Sequence, residues 1–273
     1  MEATIVILFG LAIGSFVNAL VWRLYQQTKT KSKAAKQKLS VVHGRSMCPD
    51  CRHQLSWYDL IPVLSWLMLH GRCRYCKKSI SWSYPATELL VAALAGVSYF
   101  YWPFSLSNFT GSFLLGVWLV ILALLAALVL YDLRWMTLPN QLIYPLAAAV
   151  TVFKVVQYLD SRQLSVLGTA AVGAVLLGGF FWGLYQISAG KWIGGGDVRY
   201  GFIMGGLLGW QQALLGLALA SYIGVAVILI LIVLKKYKRH LKMPFGPLLI
   251  TATYICIFWG QPIIDAYKRI SGL

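Results

Sequence analysis

Three of the chain's eight carboxylates, Glu88, Asp132 and Asp197, stand at the ends of long uncharged runs, where an ionised group is costly. Asp132 lies in Tyr131-Asp-Leu-Arg-Trp-Met-Thr-Leu-Pro139, and Asp197 closes Gly194-Gly-Gly-Asp197, 65 positions further on. Two aspartates brought to one membrane depth can share a proton, because like-charge repulsion and desolvation split their titrations into one base and one acid. Such a pair can activate water against a peptide carbonyl. Gly194 and Gly196 would let the backbone of a bound peptide come close. Plain structural roles suit the same residues: Asp197 as a helix N-cap, Asp132 as a cap or the partner of Arg134, Glu88 as a satisfied polar group at a helix start. The glycine run is no dinucleotide fingerprint, since no strand precedes it.

The second constellation is sulfur. Cys48-Pro-Asp-Cys51 is followed after 21 residues by Cys73-Arg-Tyr-Cys76. Two C-x2-C knuckles at that separation suit a tetrahedral four-cysteine zinc site of the ribbon type, with four free or redox-active thiols as the alternative. Neighbouring Lys and Arg favour the thiolates. Four cysteine ligands leave no open coordination position, so the metal is expected to be structural and to supply stability that a small basic loop lacks. Cys256, in the last apolar run, reads as a small buried hydrophobe. His43, His53, His70 and His240 have neither ligand nor triad spacing and read as solvated loop residues.

These groups must be held by a membrane protein. Of the 273 residues 59% are hydrophobic and 12% charged, against about 25% charged in ordinary soluble domains, which excludes disorder, collagen-like repeats and a soluble enzyme. Ala3–Trp22 is an uncharged run of spanning length without a basic n-region or cleavage site, so it reads as a retained helix. Arg23–Pro85 is polar and basic. Leu89–Tyr131 is uncharged, with turn chemistry at Pro103, Ser105, Ser107, Asn108 and Thr110. The runs Trp135–Phe153, Gln163–Gly190, Tyr200–Leu234 and Met243–Ile264 follow, and a break at Gly209-Trp210-Gln211-Gln212 divides the third of these. The expected fold is an all-α polytopic membrane protein of about eight helices, with seven as the alternative. It is expected to divide into a first transmembrane helix at 1–24, a cytoplasmic zinc-binding loop at 25–85 and a membrane-embedded catalytic part at 86–273.

Net charge is +16, with 24 Lys and Arg. In the eight-helix arrangement 20 of them fall on one side and four on the other, which by the positive-inside rule puts the N-terminus outside and the cysteine loop in the cytoplasm. The basic excess therefore faces anionic lipid, and no nucleic-acid partner is expected, because no recognised binding module accompanies it.

Taken in order, these motifs make the chain resemble the bacterial type IV prepilin peptidases, among the GxGD membrane aspartyl proteases. Gly14-Ser-Phe-Val-Asn18 with Arg23 is similar to the family's first-helix motif. The two knuckles, Ile61-Pro-Val-Leu-Ser-Trp66, Gly71-Arg-Cys73 and Tyr84-Pro-Ala-Thr-Glu88 resemble its loop signature. Asp132 and Asp197 occupy its catalytic aspartate positions, the second within Gly194-x-Gly196-Asp197, and Pro244-Phe-Gly-Pro247 resembles the motif opening its last helix. Tyr25 and Arg199 depart from the common proline and lysine, away from the aspartates. The inserted Lys29–Lys38 reads as a solvated basic linker.

The resemblance implies an inner-membrane, multi-pass endopeptidase that removes the leader of prepilins or pseudopilins at the cytoplasmic face, after a glycine. It also implies zinc in the loop and, in many members, N-methylation of the new terminus with S-adenosylmethionine, although no segment reads as a methyl-donor pocket. Peptidase activity alone, a transporter with Glu88, Asp132 and Asp197 as an acidic relay, and a non-catalytic zinc scaffold are the alternatives. Neither the pilin system served nor the oligomeric state is legible.

Overall fold

The computed structural model describes residues 2–32, 37, 39–41, 44–236 and 243–272. Long uncharged runs have one low-energy solution in lipid, the helix, because every backbone N–H and C=O must be satisfied within the segment. Among the described residues there is accordingly no strand, and pairing is limited to two isolated bridges in the cysteine loop. The helices are α1 (Glu2–Lys29), a short α2 (Leu64–Met68), α3 (Ser83–Phe100), α4 (Phe109–Trp135), α5 (Asn140–Ser161), α6 (Ser165–Ile187), α7 (Gly195–Leu208), α8 (Trp210–Val233) and α9 (Gly246–Ser271). Six of them, α1, α4, α5, α6, α8 and α9, are long and apolar enough to cross a membrane. At 1.5 Å per residue, α3 reaches ~27 Å and α7 ~21 Å, both under the roughly 30 Å of a hydrocarbon core. The chain is an all-helical, multi-pass membrane protein, as its composition requires. The break expected at Gly209–Gln212 narrows to Gly209 alone, whose φ of +76° suits glycine and separates α7 from α8.

The chain forms two compact units, Met1–Tyr101 with Leu122–Ala127, and Trp102–Ile121 with Leu128–Leu273. In the first, α1 and α3 run antiparallel along a stripe of small residues. A Cβ on Gly10 would lie 2.8 Å from the Cα of Ala92, and one on Gly14 would lie 2.6 Å from the Cα of Glu88. Without a hydrophobic drive between helices in lipid, this close backbone approach is what holds them together. One turn beyond Gly14, the Asn18 amide donates to the Tyr84 carbonyl at 3.1 Å. At the opposite end Tyr99 donates to Glu2 at 2.9 Å. The register thus sets Asn18 beside Tyr84 and Gly14 beside Glu88.

In the second unit α7 is held on three sides. Against α6, Gly173 and Gly205 pack so tightly that a Cβ on either would fall 2.4 Å or 2.1 Å from the other's carbonyl oxygen. Against α8, the methyl of Met204 fills the space over Gly216. Against α9, the buried Tyr200 hydroxyl lies 2.9 Å from Thr253 Oγ1. Thr253 gives its own hydrogen to the Leu249 carbonyl at 2.8 Å, so Tyr200 is the donor. Outward-facing Val225, Ile228, Leu229 and Ile232 of α8 are exposed, as lipid-facing positions should be.

Candidate active site and metal centre

Asp132 sits in the last turn of α4, which ends where Met136 turns left-handed and its N–H returns to the Asp132 carbonyl at 2.8 Å. The side chain of Asp132 is buried. Its carboxylate accepts a hydrogen bond from the backbone N–H of Gly246, the first residue of α9. A Cβ on Gly246 would lie 2.6 Å from Asp132 Oδ2, so only glycine leaves room for this contact.

Asp197 is the third residue of α7 and half-buried. Gly194 takes the N-cap position, and the Asp197 carboxylate reaches back to the Gly194 N–H. This is the acidic half of a capping box. The structural role considered for Asp197 is therefore modified: it satisfies the cap from inside the helix and leaves the N-cap itself to glycine.

The two carboxyl groups interact electrostatically. Leu138, buried between α4 and α5, touches both surroundings. A Cβ on Gly196 would lie 2.8 Å from Leu138 Cβ, and one on Gly246 would lie 3.4 Å from Leu138 Cδ2. Asp132, Asp197, Gly194 and Gly196 are thus in one region of the second unit, with Gly246 and Leu138 as members that sequence reading left without a role. The sequence signal for Gly246 was its place inside Pro244-Phe-Gly-Pro247. Leu138 carried none. Arg199 is exposed and donates to the Gly195 carbonyl at 2.9 Å.

The candidate metal centre belongs to the first unit. Ligand atoms of Cys48, Cys51, Cys73 and Cys76 all lie within 4.8 Å of one another, and Cys48 Sγ is 3.9 Å from Cys76 Sγ. Zn–S bonds of about 2.3 Å in a tetrahedron place sulfurs about 3.8 Å apart, so the four thiols fit a metal ion. Each knuckle is the same local structure. Cys48 N–H donates to His53 and Arg52 N–H to Cys48; Cys73 N–H donates to Lys78 and Lys77 N–H to Cys73. Arg52 and Lys77 adopt matching φ values of +56° and +58°. Lys78 of the second knuckle pairs with Asp50 of the first, and Arg74 pairs with Asp59 at 2.8 Å.

Burial pushes the Cys48 thiol up to about 12, against opposing backbone hydrogen bonds. At Cys73 burial also acts upward, but hydrogen bonds from the backbone of Cys76 and Tyr75 outweigh it and bring the thiol to about 7. Cys73 is therefore the first thiolate available to a cation. His53 and His70 are exposed, the former with its ring centre 3.7 Å from that of Tyr75. His43 and His240 lie outside the described residues, as does most of the basic insert between Ser32 and Leu39. Cys256 is fully buried.

A multi-pass helical membrane protein with two aspartates at neighbouring helix ends and four clustered thiols that fit a metal ion is the class that fold and site define. The model of the bacterial peptidase A24 N-terminal domain matches residues 8–102, and that of the type IV leader peptidase family matches residues 118–229. The prepilin leader peptidase/N-methyltransferase of Aeromonas salmonicida is 32% identical over 97% of this chain and 93% of its own length. The Pseudomonas aeruginosa protein of that name is also 32% identical over 97% and 93%, and the Bacillus subtilis one 26% over 98% of each. No solved structure matches. The chain belongs to the type IV leader peptidase family and is a peptidase, which displaces the transporter and scaffold readings.

Proposed function

We propose that the protein is a membrane aspartyl endopeptidase that removes the leader of type IV prepilins or pseudopilins, with Asp132 and Asp197 as its catalytic pair. The observation that carries this is that Asp132 and Asp197 stand at helix ends of the second unit whose surroundings meet at Leu138, near enough for the two carboxyl charges to act on each other. One carboxylate takes a proton from a bound water as its oxygen bonds to the scissile carbonyl carbon. The protonated partner donates to the carbonyl oxygen as negative charge develops there. Collapse of the tetrahedral adduct breaks the C–N bond and returns a proton to the departing amine. The pair titrates as a unit, so base and acid belong to the dyad. A glycine before the cleaved bond suits this site, because glycine weakens a substrate helix by about 1 kcal/mol relative to alanine.

The loop metal is zinc in a structural role, supported by four thiols within 4.8 Å and by the matched knuckles. The basic side, 20 of 24 Lys and Arg, faces the cytoplasm, with cleavage at that face of the bacterial inner membrane. Functionally the chain divides into the first helix at 1–24, the zinc loop at 25–85 and the peptidase part at 86–273. The new N-terminal amine is then methylated from S-adenosylmethionine, a reading that rests on the names of the relatives. Incubating purified protein in lipid with a prepilin tests the peptidase reading: the substrate is expected to lose the mass of its leader, and an unchanged mass refutes it.

A further inference from the structure

Between Asp59 and His70 the cysteine loop contains ten uncharged residues, Leu60-Ile-Pro-Val-Leu-Ser-Trp-Leu-Met-Leu69, in a stretch otherwise polar and basic. An apolar run of that length is too short to span a bilayer, and suits either a buried core helix or a segment lying in the membrane interface. The first option fails here. No residue of α2 is buried, and Leu60, Ile61, Leu64, Leu67 and Met68 are exposed, Met68 by 75%. Trp57 and Trp82 nearby are exposed as well. Apolar side chains exposed in this number mark a surface that has a partner.

The level at which this run sits identifies the partner. The Val63 N–H donates to Glu88 Oε2 at 2.7 Å. Glu88 packs in turn on α1, where a Cβ on Gly14 would stand 2.6 Å from the Glu88 Cα. Gly14 precedes Trp22, the end of the first uncharged run, by eight residues. At 1.5 Å per residue that is ~12 Å into the span. A cavity of about 570 Å³ is walled jointly by Phe16 and Asn18 of α1, Leu60 and Pro62 of the run, and Tyr84 and Glu88 of α3. The run thus adjoins both helices below the ends that carry the loop. Exposed side chains of the helices at that level include Phe16, Leu89 and Leu90, as lipid-facing positions should. Leu64, Leu67 and Met68 continue that surface. The backbone is prepared for a water-poor setting: the N–H groups of Leu64, Ser65, Leu67, Leu69, His70 and Gly71 all go to carbonyls within residues 61–67.

We infer that Leu60–Leu69 is inserted into the leaflet bordering the cysteine loop, the cytoplasmic one in the orientation proposed above. Leu64, Leu67 and Met68 lie among acyl chains, and Trp57 and Trp82 lie at headgroup level, which amphipathic aromatic rings favour. Segments of this kind bury an apolar face about 5–10 Å into the boundary between headgroups and chains. The exposed Arg72 and Lys77 that follow meet anionic headgroups. Insertion also holds the thiol cluster at the membrane surface. Trp66 Nε1 donates to the Ile80 carbonyl at 3.1 Å, and its ring meets that of Trp82 edge-on with centroids 5.0 Å apart. The same ring covers Gly71, two residues before Cys73, and the Ile80 N–H returns to the Gly71 carbonyl at 2.7 Å. The second knuckle is therefore tied to the inserted run.

Photolabelling from the lipid side tests the insertion on the unaltered, full-length protein. It is placed in nanodiscs of phosphatidylcholine and phosphatidylglycerol, doped with a phosphatidylcholine that carries a diazirine in its acyl chain. After irradiation and peptide mapping, adducts are expected on Leu60–Leu69 at a density close to that on Leu89 and Leu90, and about tenfold above that on Arg72–Lys78, which insertion leaves outside the chains. Dilute hydrogen peroxide gives a second readout: Met68 is expected to oxidise about tenfold more slowly in the nanodisc than in a free peptide of residues 57–70, because the acyl region holds little water. Adducts on α1 and α3 with none on Leu60–Leu69, or oxidation of Met68 at the free-peptide rate, overturns the insertion. Cross-links between two copies through Leu60–Leu69 in place of lipid adducts assign the face to a second copy of the chain and overturn it equally.

Discussion

The backbone N–H of Gly246 donates to the carboxylate of Asp132, joining the first residue of α9 to the last turn of α4. No side chain fits there, since a Cβ would stand 2.6 Å from Oδ2. Gly246→Ala must therefore displace the carboxylate or the start of α9. Misplacing a catalytic group by about 1 Å costs on the order of 100-fold in rate. Leader cleavage by this variant is expected to fall by about that factor in kcat with the protein still inserted, as followed by mass spectrometry of processed prepilin.

The α6–α7 contact at Gly173 and Gly205 holds the helix that carries Asp197. Gly205→Ala sets a methyl 2.1 Å from the Gly173 carbonyl oxygen, and the backbones cannot yield cheaply. Overpacking of this kind costs about 1–3 kcal/mol. The variant is expected to unfold at lower temperature in detergent and to lose activity, whereas Gly179→Ala, where a Cβ meets open space, is expected to leave stability unchanged.

Metal binding by the loop requires thiolates, and Cys73 ionises near 7 whereas burial holds the Cys48 proton to much higher pH. Protons compete with the metal, so apparent zinc affinity is expected to fall as pH is lowered through about 7. Competition with a chromophoric chelator across that range checks this; an affinity that rises toward acid contradicts it.

Cys48→Ser removes one of four ligands and is expected to lower zinc content and open the loop to protease between α1 and α3. Chelation of the unaltered protein should do the same. Limited proteolysis, compared with and without added zinc, reads both.

Much of this was legible in residue order. Uncharged runs announced the helices because lipid leaves the backbone no alternative, and the C-x2-C knuckles announced the thiol cluster because ligand spacing is local. Asp132 and Asp197 stood out because so few acids exist in the chain. The fold's less legible parts depend on contacts distant in sequence. Leu138 looks like any leucine until α4 and α7 bring Gly196 against it. The cavity beside Asn18 is assembled from three stretches, none of which reads as a pocket alone. The bounds of α7 were legible too, in the glycine run ending at Gly196 and the break that begins at Gly209.

The central claim is that Asp132 and Asp197 act together on water, and the most direct measurement is leader removal by Asp132→Asn and Asp197→Asn. Each change keeps size and hydrogen-bonding shape while removing the carboxylate. The account predicts that neither purified variant shortens a prepilin, although both insert, keep zinc and unfold at temperatures close to the unaltered protein. Normal leader removal by either folded variant would contradict it.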